Sequence, residues 1–158
     1  MANKIRTHQR PSWDEYFRNI AELVSTRSNC IKRHVGAILV KDKKIISTGY
    51  NGTPKGIANC DEGGCPRCND PNIKSGEQLD RCICVHAEEN TIIQAAYHGV
   101  STEGAAIYCN FCPCNYCTKH LINAGIKEVI YWDDYYKLDE ISLKMLKEAK
   151  IKIRKIKK

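Results

Sequence analysis

The 158-residue sequence predicts one α/β domain over residues 1–158, in which a mixed β-sheet has helices on its faces. Three observations predict this fold. An amphipathic helix opens the chain, two β-rich runs joined by a short polar turn follow, and helices then alternate with short apolar strands. No apolar run is long enough to span a membrane and no secretory signal is evident, so we expect a cytoplasmic protein without a membrane partner.

The first helix is predicted over residues 12–28. Ser12 and Glu15 form a capping box at its start, and apolar residues recur along one face at three- and four-residue spacing. The β-rich runs 35–41 and 44–50 predict an antiparallel hairpin, because the link between them is too short for a crossover.

The second half of the chain alternates helix and strand. The predicted elements are a helix at 86–98, a strand at 104–110, a helix at 114–125, a strand at 128–132, a helix at 138–149 and a strand at 151–156. The last strand–helix–strand unit should make the final two strands parallel through a right-handed crossover.

Cysteine is unusually frequent, with ten residues in the chain. In a reducing compartment such density indicates metal binding or catalysis more often than disulfides. Residues 57–84 form a cysteine-rich insert with little apolar periodicity, and we expect bound metal to hold a segment of this length in place. One or two cysteines, Cys109 first among them, are expected to be ordinary buried thiols.

The motifs that indicate chemistry are H-A-E at 86–88 and P-C-N-Y-C at 113–117. An H-x-E…P-C-x-x-C pair is a known signature of zinc deaminases that act on nucleobases. His86, Cys114 and Cys117 supply three ligands, which leaves the fourth position of a tetrahedral zinc for water. Glu88 should lie beside the metal and transfer protons, as the catalytic residue.

A purely structural zinc is the alternative interpretation of these motifs. Cys112 or Cys84 could in principle supply the fourth ligand that closes such a site. An intact Glu88 has no purpose in a closed site, which favours catalysis. The other histidines have no comparable pattern and are interpreted as surface or core residues: His8, His34, His98 and His120.

Over nearly its whole length, the sequence resembles the deoxycytidylate (dCMP) deaminase family of the zinc-dependent cytidine and deoxycytidylate deaminase superfamily. The matching segments are SWDEYF (12–17), RS (27–28), VGAILV (35–40), TGYNGTPKG (48–56), HAEEN (86–90), PCNYC (113–117) and NAGIKEVIY (123–131). The resemblance implies a three-layer α-β-α cytidine-deaminase-like sandwich, with a five-stranded mixed sheet whose last two strands are parallel. It also implies hydrolytic deamination of dCMP to dUMP and ammonia, a step in supplying pyrimidine deoxynucleotide for dTMP synthesis.

The resemblance further implies substrate and effector contacts. Asn51 should hydrogen-bond the substrate sugar, although it could also be a plain turn residue. Many family members are hexamers that dCTP activates and dTTP inhibits, so we expect a homo-oligomer and take Gly52, Pro54 and Gly56 as candidates for an effector loop. No motif identifies the phosphate-binding residues, and the candidates by charge alone are Arg27, Arg33 and Lys55.

Some family members carry a second, structural zinc, and the resemblance implies one here. The predicted ligands are Cys30, Cys60, Cys65 and Cys82, with Cys68 as the substitute. Four thiolates would fasten the insert to the first helix. Spacing alone does not choose among these cysteines.

Two rival functions remain open from the sequence. The first is deamination of another cytosine nucleotide or nucleoside, or of a base in tRNA or single-stranded DNA. The aromatic run 131–136 favours a polymer, but Asp133 and Asp134 lie within it. The second is a non-catalytic, zinc-stabilised nucleic-acid-binding or assembly protein, against which the intact Glu88 argues. The net charge of +7 includes a basic segment at 144–158, better interpreted as a solvated helix face and a protected edge strand than as a nucleic-acid site.

Overall fold

A computed structural model describes residues 9–133 and 140–158 of the chain. Its helices are α1 (Trp13–Ser25), α2 (Pro66–Asn69), α3 (Ala87–Tyr97), α4 (Asn115–Asn123) and α5 (Glu140–Glu148). Its strands are β1 (Gly36–Lys41), β2 (Lys44–Tyr50), β3 (Ala106–Phe111), β4 (Glu128–Asp133) and β5 (Lys152–Lys155). Every predicted helix and strand is present, with ends that differ by up to three residues. The predicted start of the last helix, His8 and residues 134–136 of the aromatic run lie outside the described residues.

The five strands form one sheet in the order β2-β1-β3-β4-β5. Strand β1 is antiparallel to both β2 and β3, whereas β4 is parallel to β3 and to β5. The predicted mixed sheet with parallel final strands is therefore confirmed. The parallel part comprises three strands, because both α4 and α5 serve as crossovers between neighbouring strands.

Side chains alternate between the two faces of the sheet and produce a three-layer core. On one face, α1 packs Phe17 and Ala21 against Ile38 and Tyr108. On the other face, α3, α4 and α5 cover a second cluster that includes Leu39, Ile107, Leu121, Val129 and Leu146. The sandwich predicted from the resemblance is thus observed.

Polar contacts fix the N-terminal turn of α1. The Ser12 amide donates to the Glu15 carboxylate at 2.7 Å and the Glu15 amide donates to the Ser12 hydroxyl at 3.2 Å, so the capping box is confirmed. Asp14 accepts from the Tyr108 hydroxyl at 2.8 Å and from the Arg154 guanidinium at 2.8 and 3.1 Å. These bonds join the first helix to strands β3 and β5.

Glycine at position 49 lets α3 approach the hairpin closely. A Cβ atom there would lie 2.5 Å from the carbonyl oxygen of Ala87 and 2.5 Å from the amide nitrogen of Thr91. Strand β2 therefore contacts the backbone of the first turn of α3 directly. That turn carries Glu88 and follows His86, so this contact positions both residues.

The insert is ordered by short turns and sulfur contacts rather than by long elements. It contains the 3₁₀ turns Cys60–Glu62 and Leu79–Arg81 and the single-turn helix α2. No helix within the described residues has the length and apolar character needed to cross a membrane.

Candidate active site and cysteine cluster

The predicted catalytic ligands lie where the starts of two helices meet. His86 is the N-cap residue of α3, and Cys114 is the N-cap residue of α4, which follows strand β3. The Cys114 sulfur accepts the amide hydrogen of Cys117 at 3.5 Å. Both helix N-termini therefore direct positive dipole ends at this point, which favours thiolate sulfur.

The distances among these three residues fit one zinc ion. The Nδ1 atom of His86 lies 3.5 Å from the Cys114 sulfur and 3.3 Å from the Cys117 sulfur. Tetrahedral zinc with ordinary Zn–N and Zn–S bonds separates such atoms by about 3.5 Å. The donor set of one imidazole and two thiols is also one that zinc accepts in catalytic sites.

No fourth protein ligand closes this group within the described part of the chain. Ligand atoms of His86, Cys114 and Cys117 lie within 4.8 Å of one another, and no other described Cys, His, Asp or Glu joins them. Cys112 lines the adjacent pocket without belonging to the group, and Cys84 belongs to a different cluster. This geometry is that of an open site rather than of a closed structural one.

The three ligands perturb one another strongly. Interaction with the Cys117 thiol, and then with His86, lowers the pKa of Cys114 to about 4. The Cys114 sulfur raises the pKa of His86 to about 9. Negative charge is therefore favoured on the Cys114 sulfur, as a metal ligand requires.

Glu88 is buried beside these ligands, with only 5% of its surface exposed. It lies in the first turn of α3 and lines the same pocket as His86 and Cys114. Burial raises the pKa of its carboxyl group, while the positive charge of His86 acts in the opposite direction. A carboxyl group with a raised pKa is suited to both accepting and donating a proton.

The pocket next to Glu88 also contains polar and aromatic groups. Its volume is about 700 Å³ including the open mouth, and Arg33, Asn51 and Phe111 line it. The Arg33 guanidinium lies 4.9 Å from the centre of the Phe111 ring and donates to the Ser75 hydroxyl at 3.1 Å. Phe111 and Ser75 were not singled out from the sequence. The position of Phe111, two residues before the second zinc motif, was the available signal.

Asn51 is held mainly by the protein. Its Oδ1 atom accepts from the Val35 amide at 2.8 Å and from the Ser28 hydroxyl at 2.7 Å, and its Nδ2 atom donates to the Arg33 carbonyl at 2.9 Å. An amide nitrogen has two hydrogens, so one donor of Nδ2 is left for a ligand in the pocket. The turn role and the predicted sugar contact are therefore compatible.

The other predicted binding residues lie farther from the ligands. Arg27 and Lys55 are exposed and do not line the pocket, unlike Arg33. In the predicted effector loop, Pro54 and Gly56 are exposed, whereas Gly52 is buried. The backbone of Gly52 forms an isolated antiparallel bridge with Val85, the residue just before His86.

A second concentration of sulfur lies next to the pocket, which we call the six-cysteine cluster. Its members are Cys30, Cys60, Cys65, Cys68, Cys82 and Cys84. In each of two groups of four thiols, all the sulfurs lie within 4.8 Å of one another, close enough to hold one metal ion. One consists of Cys30, Cys60, Cys68 and Cys84, and the other of Cys65, Cys68, Cys82 and Cys84.

The set predicted for a structural zinc is distributed over both groups. Cys30 and Cys60 fall in the first group, and Cys65 and Cys82 in the second, so the predicted four do not form a group of their own. Cys68, named as a substitute, belongs to both. Cys84 also belongs to both groups, although the sequence suggested it only as a fourth ligand that could close the site of His86, Cys114 and Cys117. Both sulfurs of the C-I-C segment at 82–84 belong to the cluster, which spacing along the chain does not reveal.

The remaining expectations concern isolated residues. Cys109 is a fully buried thiol in the core, and none of the ten cysteines, all of which are among the described residues, forms a disulfide. His34 and His98 are exposed, and His120 is half-buried against the Tyr116 ring.

Comparison with known proteins finds a matching family model and several relatives of this chain. The chain matches the family model of the cytidine and deoxycytidylate deaminase zinc-binding region over residues 11–133. It is 47% identical to deoxycytidylate deaminase of Schizosaccharomyces pombe over 145 residues, which are 92% of this chain and 44% of the yeast protein. It is 38% identical to deoxycytidylate deaminase of Mycobacterium phage D29 over 126 residues, which are 77% of this chain and 95% of the phage protein.

A solved structure gives the same result for the fold. The structure of dCMP deaminase from cyanophage S-TIM5 in complex with dCMP and dUMP matches with a TM-score of 0.76 and 31% identity, covering 94% of this chain and 100% of that one. The chain spans less than half the length of the yeast relatives it matches.

Proposed function

Because the chain belongs to the cytidine and deoxycytidylate deaminase family, we propose that it hydrolyses dCMP to dUMP and ammonia. One observation carries the proposal: three zinc-type ligands lie together without a fourth among the described residues, and a buried glutamate lines the same pocket. A relative with dCMP and dUMP bound supports the choice of substrate.

His86, Cys114 and Cys117 would hold the catalytic zinc. Zinc held by three protein ligands lowers the pKa of a water ligand to about 7, which supplies hydroxide at neutral pH. The two helix N-termini keep the thiolates in place, and the burial of Glu88 keeps bulk water from competing for its carboxyl group.

Glu88 is the residue that moves protons. Its carboxylate takes a proton from the attacking water, whose oxygen adds to C4 of the cytosine ring, and delivers that proton to N3. It then carries the hydroxyl proton at C4 to the amino nitrogen. The C4–N4 bond breaks, ammonia leaves, and the C4 carbonyl of dUMP forms. Water is the only co-reactant, and Glu88 ends in its starting state.

The pocket residues support a nucleotide rather than a free base. The remaining Nδ2 hydrogen of Asn51 is available to a sugar hydroxyl, and the Arg33 guanidinium supplies positive charge in the same pocket. Arg33 is the charge candidate that this placement favours for the phosphate.

A polymer substrate is less well supported. Tyr131 and Trp132, the two aromatic members of the 131–136 run that the structure describes, are 4% and 3% exposed. The Trp132 indole donates to the Glu22 carboxylate inside the fold. Neither ring is therefore available to stack on a base.

The experiment that tests the proposal compares two glutamine variants of neighbouring glutamates. Glu88→Gln should abolish ammonia release from dCMP while zinc content stays unchanged, because the amide cannot carry the proton. Glu89→Gln, in the same helical turn, is the matched control and should retain activity within a few fold. Undiminished turnover by Glu88→Gln would refute the mechanism. Absence of turnover by the unaltered protein on dCMP, dCTP, CMP and deoxycytidine would favour a polymer substrate or the binding or assembly role.

The proposal also includes the location, assembly and regulation that the family resemblance implies. Ten cysteines without a disulfide suit a reducing, cytoplasmic location. Homo-oligomerisation as a hexamer and regulation by dCTP and dTTP are predictions from the resemblance. A structural metal in the cysteine-rich insert is a further prediction from the resemblance.

A further inference from the structure

We propose that the six-cysteine cluster holds two zinc ions in one binuclear site, in which the sulfurs of Cys68 and Cys84 bridge the two metals. Cys30 and Cys60 would complete one tetrahedron, and Cys65 and Cys82 would complete the other. Cys84 lies two residues before His86, so the site would adjoin the catalytic centre.

The two four-thiol groups overlap in the way that two metals sharing sulfur require. Each group contains four sulfurs that all lie within 4.8 Å of one another, and Cys68 and Cys84 belong to both. Zinc bound structurally by cysteine is four-coordinate. Six sulfurs can satisfy two such ions only when two of the sulfurs are shared, which is the arrangement observed.

The individual distances match a shared metal rather than a disulfide. The sulfur of Cys68 lies 3.9 Å from that of Cys30 and 3.7 Å from that of Cys82, and the sulfurs of Cys65 and Cys82 are 3.8 Å apart. Tetrahedral Zn–S bonds of about 2.3 Å separate sulfurs by about 3.8 Å. A disulfide would place them at about 2.05 Å.

A buried arginine supplies positive charge beside the six-cysteine cluster. Arg67 is 5% exposed, and its guanidinium lies 3.8 Å from the Cys68 sulfur. Its other described contacts are carbonyl oxygens of Lys74 and Glu77, and no carboxylate within the described ranges forms a salt bridge with it. Burying an unpaired positive charge is costly. Six thiolates around two zinc ions carry a formal charge of about −2, which offsets that cost.

The first test is the metal content of the full-length protein. Native mass spectrometry is expected to show about three zinc ions per chain, one with His86 and two in the cluster, and His86→Ala should lower the content to about two. A cluster that holds one ion would give about two ions in the unaltered protein and one in His86→Ala, which would overturn the proposal. Neither result depends on deaminase activity.

The second test detects the shared sulfurs. In cadmium-113-substituted protein, NMR should show two signals from all-sulfur sites that are split by coupling to each other through the bridging atoms. The catalytic site should give a separate, unsplit signal. A single all-sulfur signal, or two without mutual coupling, would refute the bridge.

The third test compares a bridging cysteine with a matched buried thiol. Cys84→Ser should lose at least one of the two cluster ions, whereas Cys109→Ser, altered at an equally buried thiol outside both groups, should keep all of them. Full metal content in Cys84→Ser would contradict the assignment. If Cys84→Ser does not fold, the NMR of the unaltered protein still decides.

Discussion

Replacing Gly49 with alanine should impair the active site without touching any of its residues. The new Cβ atom would lie 2.5 Å from the carbonyl oxygen of Ala87 and from the amide nitrogen of Thr91, whereas ordinary contact begins at 3.4 Å. Both neighbours are helix backbone, so no rotamer change relieves the clash. Helix α3 must therefore move away from the hairpin by about 0.9 Å.

The size of that movement sets the expected effects. Overpacking of this kind costs about 1–3 kcal/mol, which for a chain of this length lowers Tm by about 2–12 °C. Because the first turn of α3 carries Glu88 and follows His86, the movement also displaces the proton carrier from the ligands on α4. A misplacement of about 1 Å can reduce the rate by about 100-fold.

The assay is kcat/KM for dCMP, measured together with Tm and zinc content. Thr48→Ala, at the exposed neighbouring position of the same strand, is the control and should behave like the unaltered protein. A Gly49→Ala protein with an unchanged Tm and full activity would show that α3 is not positioned by this contact, and the reasoning would fail.

Three further perturbations follow from other parts of the structure. Leu121→Ala should lower the free energy of unfolding by about 2–5 kcal/mol in denaturant titration, because this side chain of α4 is fully buried. A loss below about 1 kcal/mol would contradict that packing. Asp14→Asn should lower the free energy of unfolding by about 1 kcal/mol at neutral pH. The value is small because the ion pair between Asp14 and Arg154 is partly exposed. Hydrogen bonding to Arg154 lowers the pKa of Asp14 below its ordinary 3.8. The stabilisation is therefore present above that pH and is lost as the pH falls through the folded-state pKa. A difference in the free energy of unfolding between the variant and the unaltered protein that persists in acid would refute the assignment. Cys112→Ser should retain both the catalytic zinc and activity, since Cys112 is outside the ligand group, and loss of that zinc would identify it as a ligand.

Patterns that depend on neighbouring residues were predictable from the sequence. The capping box of α1, the hairpin and the alternating helices and strands have local periodicity and turn signals, and each appears in the structure. The grouping of His86 with Cys114 and Cys117 was predictable because each is tied to the start of a helix by a short motif.

The arrangement of the cysteine-rich insert was not predictable in the same way. The sulfurs of the six-cysteine cluster come from segments as far apart as Cys30 and Cys84, and the irregular backbone of the insert has no periodicity from which the direction of its side chains could be inferred. Which sulfurs meet is decided by how the insert packs against the chain after α1. The contact between Gly49 and α3 could not be predicted for a related reason. A glycine in a strand does not reveal which element packs against it.

The bridge between Gly52 and Val85 has a mechanical consequence. Paired hydrogen bonds of 3.2 and 2.8 Å join the start of the exposed 52–56 loop to a single residue, whose chain neighbours are the thiol Cys84 and the imidazole His86. A molecule that displaced the loop would pull on the peptide group directly attached to His86, a proposed zinc ligand. Mechanical coupling between that surface and the proposed reaction centre would thus span one residue.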